Sequence, residues 1–134
     1  MLKPESANEF VEIVEPELTR ELVDAFRRAT LSEFSPGFPL TFATTFRKSE
    51  FKWLNKLQVD LRNLLHTEQQ YEFLIPFELA DIPTIRTKII DIKERKSKRG
   101  CLTIVVLESS VLCAAQLKVR TTTTFVLRED AETA

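Results

Sequence analysis

The sequence predicts an α+β domain: one long amphipathic helix wrapped by a curved antiparallel sheet. Three observations predict it. From Pro36 to Leu57 (PGFPLTFATTFRKSEFKWLNKL) a Pro-Gly-Phe-Pro turn leads into a stretch without further glycine or proline. In it Phe42, Phe46, Trp53 and Leu57 fall close to one helical face, with Ala43 and Leu54 beside them. From Gln70 onward the apolar pattern has period two, the spacing of strands. A short strand pattern and a helix pattern come first, so the order reads strand, helix, loop, long helix, then about four antiparallel strands.

At 134 residues the chain is long enough for one domain with its own core. Hydrophobic residues make up 43% and charged residues 29%, a globular rather than a disordered composition. A formal net charge of −1 gives no long-range pull toward nucleic acid or an anionic membrane. No apolar run is long enough to span a bilayer, and MLKPESANEF lacks the apolar centre of an export signal. Cys101 and Cys113 form neither a disulfide framework nor a metal-site spacing. The expectation is a reduced, cytoplasmic protein without a metal or other cofactor.

Taken in order, residues 1–9 are polar and expected to be loose. Phe10–Val14 (FVEIV) alternates, with Phe10, Glu12 and Val14 on one side and Val11 and Ile13 on the other: a short, half-buried strand. A helix is expected from about Pro16 to Ala29, with proline at its start, Glu17 and Glu21 near its positive end, and Leu18, Leu22, Val23, Phe26 and Ala29 inward. Thr30–Pro39 (TLSEFSPGFP) interrupts the pattern. Gly37 between two prolines either shapes the mouth of a binding slot or simply connects two helices. The long helix starts near Leu40 and runs to Leu57, or breaks and restarts through Asp60–Leu65. Tyr71, Phe73, Ile75 and Phe77 alternate in the first of the later strands, which Pro76 limits. Thr84–Glu94 is the next strand, Cys101–Leu107 a central strand covered on both faces, Ser109–Ala114 a connection, and Ala115–Leu127 the last strand. The end, 129–134, is expected to fray.

Few residues offer chemistry. The stripe of Phe42, Phe46 and Trp53 either lines an acyl tunnel or is core. Glu50, the one acid in the long helix, is a potential base or nucleophile for thioester hydrolysis; the simpler expectation is a solvated helix residue. His66, the only histidine, has a side chain suited to acid–base work but no partner identifiable from sequence. Lys93–Arg99 (KERKSKR) holds five basic residues before Gly100: a solvated hairpin tip, or a contact for coenzyme A phosphates or an acidic carrier surface. Cys101 reads as a packing residue.

Several segments also carry a resemblance. LLHTEQQYEFLIPF at 64–77 is similar to the leucine-histidine-small-glutamate-glutamine-aromatic pattern, ending in proline, of the N-terminal dehydratase domain of MaoC-like proteins, relatives of (3R)-hydroxyacyl-thioester dehydratases. PGFPLTFATTF at 36–46 resembles that family's Pro-Pro-x-Phe approach to its helix. Ala80-Asp81 stands where the family usually has Gly-Asp, and the hairpin Thr84–Leu107 and the ending VRTTTTFVLRE are also similar. The resemblance implies a hot-dog fold over 1–134 and an acyl-thioester ligand, acyl-CoA or acyl-carrier protein. It also implies pairing, either as a homodimer or as a heterodimer with a catalytic hot-dog subunit. Catalytic members carry an aspartate and a histidine five residues apart in the loop before the long helix. Thr30–Pro39 holds neither, and His66 falls after the helix, so no catalytic residue is carried over. The residues expected to touch an acyl ligand are Gly37, Phe38, Phe42, Phe46 and His66. The alternatives are a self-sufficient dehydratase or thioesterase and a scaffold without a thioester ligand.

Overall fold

The alternating segments pair into one antiparallel sheet. In this computed structural model, which describes residues 10–30 and 39–130, the strands are β1 (Val11–Val14), β2 (Leu64–Phe73), β3 (Thr84–Ser97), β4 (Gly100–Cys113) and β5 (Gln116–Asp130). Their order across the sheet is β1-β3-β4-β5-β2, with all pairings antiparallel. Helix α1 spans Arg20–Thr30 and α2 spans Lys48–Lys56. Among the described residues no helix is long and apolar enough to cross a membrane.

The expected long helix is present but broken. Leu40–Thr45 is a 3-10 turn, and α2 begins at Lys48. Threonines and phenylalanines lose rotamer freedom in a helix. The Thr45 hydroxyl donates to the Phe42 carbonyl (2.8 Å), and Phe46 sits at φ −90°, ψ 71°, outside helical space. α2 ends in a Schellman motif. Gln58 is left-handed (φ 56°), its N–H bonds the Asn55 carbonyl, and the Val59 N–H bonds the Leu54 carbonyl, both at 3.0 Å.

Other boundaries move for similar local reasons. Residues 15–18 are tied by strand-like bonds, Glu15 N–H to the Pro83 carbonyl (2.8 Å) and Leu18 N–H to the Asp81 carbonyl (2.7 Å), so α1 starts at Arg20 rather than Pro16. Leu18 still reaches the core, whereas Leu22 and Ala29 stay exposed. β2 starts at Leu64, six residues ahead of the expected period-two run, and His66 lies inside it. β4 continues to Cys113 because Ser109, Val111 and Cys113 keep pointing inward; the connection is only Ala114–Ala115. Both alanines are left-handed (φ 50° and 63°), the backbone that a two-residue hairpin of right-twisted strands requires. β5 pairs with β4 through Asp130, past the point where fraying was expected. Residues 1–9 and 131–134 lie outside the described residues.

The helices cover the sheet face presented by the odd-numbered residues of β4 and β5. Two apolar clusters form there. Leu18, Phe42, Ala43, Phe46, Phe77, Ile85, Val111, Cys113 and Val119 make one. Val11, Trp53, Leu54, Ile89, Val105, Leu107 and Phe125 make the other. The break at Phe46–Arg47 lets the one segment serve both. A bulge at Ile90 keeps Ile92, rather than Asp91, in line with Val105 on the covered face.

Candidate functional site

A groove of about 270 Å³ opens at the end of the sheet where β2 leaves it. Pro39 forms one wall; Phe73 through Phe77 and Val119 form the others. The lining is almost entirely apolar because Pro76 ends the strand ladder and the chain then crosses the sheet end, laying Phe77 into the core (6% exposed). Behind it runs a chain of edge-to-face rings: Phe26–Phe42 at 5.1 Å, Phe42–Phe46 at 5.7 Å and Phe46–Phe77 at 5.6 Å between centroids.

Lys118 braces the groove. It is the extra residue of a bulge in β5, since Val111 pairs with Val119 and Leu112 with Leu117. A bulge re-aims a side chain, and this one brings the lysine inside (3% exposed). Its ammonium donates to Asp81 Oδ2 (2.7 Å) and to the Pro76 carbonyl (3.1 Å). Its own carbonyl accepts from the N–H groups of Leu74 (2.9 Å) and Ile75 (3.1 Å). Asp81 also accepts from the Glu78 N–H (2.8 Å). Burial alone would push the Asp81 carboxyl up; the Lys118 ammonium and the Glu78 N–H hold it below its ordinary value. Burial and the neighbouring Asp81 carboxylate push the Cys113 thiol up to about 11, so it is inert. Ala80 (φ 72°) occupies a backbone conformation that favours glycine, which accounts for the glycine usually found there in the resembling family.

Between the two apolar clusters lies a polar belt. Thr87, Ser109, Thr121 and Tyr71 are successive partners across β3, β4, β5 and β2. The Thr87 hydroxyl donates to Ser49 Oγ (2.6 Å) and so accepts from Ser109 (2.7 Å), since a hydroxyl has one proton. The Trp53 indole N–H donates to the Thr87 carbonyl (2.6 Å). Glu50 sits at the centre of the belt with its side chain 2% exposed, which corrects the expectation of a solvated residue. Its Oε2 accepts from Arg47 Nε (3.1 Å), and its Oε1 accepts from the Thr123 hydroxyl (3.0 Å). Thr123 Oγ1 also lies 2.8 Å from Gln69 Oε1, so its single proton is shared between Glu50 and Gln69. Burial pushes the Glu50 carboxyl above its ordinary value, and Arg47 offsets part of that rise. Glu50 lies three residues before Trp53 on α2, and the strand residue Thr123 that meets it there is 73 residues away in sequence.

Of the residues expected to touch a ligand, Phe42 and Phe46 are buried in the ring chain behind the groove. Gly37 and Phe38 lie outside the described residues, immediately before the groove wall Pro39. His66 stands apart from them. It is exposed on β2, seven residues before Phe73, which at strand rise is roughly 20 Å along the sheet. Its ring lies over Phe125 (5.2 Å), and its Nε2 is 3.1 Å from the Glu68 carbonyl. Cys101 is half-buried near the β3–β4 turn.

Residues 34–122 match the family model described as FAS1-like, dehydratase domain region. Among curated proteins no sequence matches the chain. Solved structures share its fold. The C-terminally truncated HadBC (3R-hydroxyacyl-ACP dehydratase) complex of Mycobacterium tuberculosis aligns at 20% identity and TM-score 0.71, covering 93% of this chain and 99% of that one. HtdX of the same organism aligns at 23% identity and TM-score 0.68 over 90% of this chain, which spans 51% of HtdX. The (R)-hydratase of A. caviae involved in PHA biosynthesis aligns at 18% identity and TM-score 0.57, covering 87% and 92%. The fold is the hot-dog fold.

Proposed function

The chain belongs to the FAS1-like dehydratase-region family, and on that premise we propose that it is an acyl-thioester-binding hot-dog unit related to (3R)-hydroxyacyl dehydratases. It holds the acyl part of a CoA or carrier-protein thioester, and a partner hot-dog subunit supplies the acid–base pair. The observation that carries this reading is the apolar groove beside Pro39, at the end of the lead-in that catalytic relatives use for their aspartate and histidine. Thr30–Pro39 contains neither residue. HadBC, a (3R)-hydroxyacyl-ACP dehydratase described as a complex, supports the expectation of a partner subunit.

At about 270 Å³ the groove is near the lower end of ligand-sized cavities, about 300–1,000 Å³, which suits an acyl segment better than a whole coenzyme. Its apolar walls select hydrocarbon by burial, worth about 0.8 kcal/mol per methylene fully removed from water. Lys118 and Asp81 take no part in the chemistry; they hold the Pro76 end of the groove open in one shape. Glu50 is enclosed by Arg47, Thr123 and α2, which favours a structural role over hydrolysis.

Thermal stabilisation by butanoyl-, octanoyl- and palmitoyl-CoA tests the reading, alone and with a histidine-bearing hot-dog partner. A ligand at a hundred times its Kd adds about 2.7 kcal/mol to the folded state. The expected result is a Tm rise that depends on chain length and disappears in Leu74→Glu, a change at an exposed wall position. No rise with any acyl-CoA or acyl-carrier protein, with and without the partner, would leave a scaffold domain instead.

A further inference from the structure

The groove beside Pro39 ends on a built floor. Phe77 and Val119 are buried and close it, while Phe73 and Leu74 stand exposed at its mouth. Behind Phe77 the ring of Phe46 stands edge-on (5.6 Å between centroids, 85° between planes), and Phe42 and Phe26 continue the line. Phe42, Phe46 and Phe77 belong to one packed cluster with Leu18, Ile85 and Val111. These rings fill the space between the Leu40–Phe46 segment and the sheet, each covering the next.

The floor is also held in place from both sides. Ahead of Phe77, the Lys118 carbonyl accepts from the N–H groups of Leu74 (2.9 Å) and Ile75 (3.1 Å), and the Lys118 ammonium donates to the Pro76 carbonyl (3.1 Å). After it, the Glu78 N–H donates to Asp81 Oδ2 (2.8 Å), the same oxygen that takes the Lys118 ammonium (2.7 Å). A ring tethered on both sides in a close-packed core does not swing aside for a longer ligand.

The groove also has a capacity. A cavity of about 150 Å³ lined by Leu, Ile and Phe holds a benzene ring, so a volume of about 270 Å³ holds roughly ten carbons at the same density. We infer that the groove takes medium-length acyl chains, roughly eight to ten carbons, across the sheet end, and that Phe77 sets this limit. The inference rests on the thioester-binding reading and adds the substrate class and the residue that selects it. The chain stops at Phe77 instead of passing between helix and sheet, and carbons beyond the floor stay in water, where they add no burial.

The test is calorimetric titration of the full chain, alone and with the histidine-bearing partner, against hexanoyl-, octanoyl-, decanoyl-, dodecanoyl- and palmitoyl-CoA. In the wild type, Kd is expected to fall roughly two- to fourfold per methylene up to octanoyl or decanoyl and then to stay level. Phe77→Leu is expected to carry the fall on to dodecanoyl. Phe46→Leu alone, behind the floor, is expected to leave the level point where it is, and Phe46→Leu/Phe77→Leu to move it further than Phe77→Leu does. Where circular dichroism shows a core variant unfolded, Leu74→Trp at the exposed mouth takes its place; by narrowing the groove it is expected to bring the level point to shorter chains. A Kd that keeps falling to palmitoyl in the wild type, or a level point moved by Phe46→Leu but not by Phe77→Leu, would put the chain beneath the helix. Either result would overturn the length assignment and leave thioester binding intact, as would a level point that neither Phe77→Leu nor Leu74→Trp moves. No binding of any acyl-CoA or acyl-carrier protein, with the partner present, would remove the thioester reading itself.

Discussion

Replacing Glu50 probes the polar belt most directly. Glu50→Ala removes the carboxylate that Arg47 and Thr123 share. Arg47 is 28% exposed, so its guanidinium can turn to water, and its loss is worth at most about 1 kcal/mol. Thr123 keeps Gln69 but loses one partner in a buried place, about 1 kcal/mol. The vacated space beneath α2 adds about 1–2 kcal/mol. The sum is about 3–4 kcal/mol, or a Tm lower by roughly 10–15 °C for a domain of this size. Glu50→Gln keeps the shape and separates packing from charge. Because the folded carboxyl lies above its ordinary value, its favourable contribution is fully present below the unfolded value of about 4.3 and is lost as pH rises through the folded one. The glutamine variant has no such loss, so it should gain on the wild type between pH 4 and pH 7.5. Urea unfolding followed by circular dichroism at the two pH values reads this. A glutamine variant that instead falls further behind as pH rises would refute the reasoning and show that Arg47 outweighs burial.

Two further outcomes follow from the backbone and the groove brace. Ala114→Asn/Ala115→Gly should stabilise the protein by about 1–2 kcal/mol, because both positions are left-handed and alanine is penalised there; an unchanged urea midpoint would mean that the turn relaxes in solution. Lys118→Met should cost about 2–3 kcal/mol at pH 7, discounted because Asp81 retains some access to water. Asp81 is held below its ordinary value, so the stability it contributes is present above the unfolded value of about 3.9 and is lost as pH falls through the folded one. The gap between Lys118→Met and the wild type should therefore narrow in acid, and a gap independent of pH would count against the pairing.

The order of elements, the antiparallel sheet and the apolar stripe of Phe42, Phe46, Trp53 and Leu57 were legible in the sequence, because period and spacing decide which residues share a face. Val11 and Ile13 turned inward from β1 as the alternation required. Local chemistry also determined the Lys98-Arg99 turn before Gly100. Tertiary structure decided the rest. The stripe belongs to two cores rather than one, because the segment breaks at Phe46–Arg47 and each half meets different strands. Glu50 is buried because Thr123, 73 residues away, presents a hydroxyl to it. Lys118 turns inward only because a bulge shifts its register against Leu112 and Val119 meets Val111. His66 shares a sheet face with the core yet lies far from the groove, a distance fixed by strand pairing. Periodicity reports which way a side chain faces; which partner it meets depends on register, and register is set only when distant strands come together.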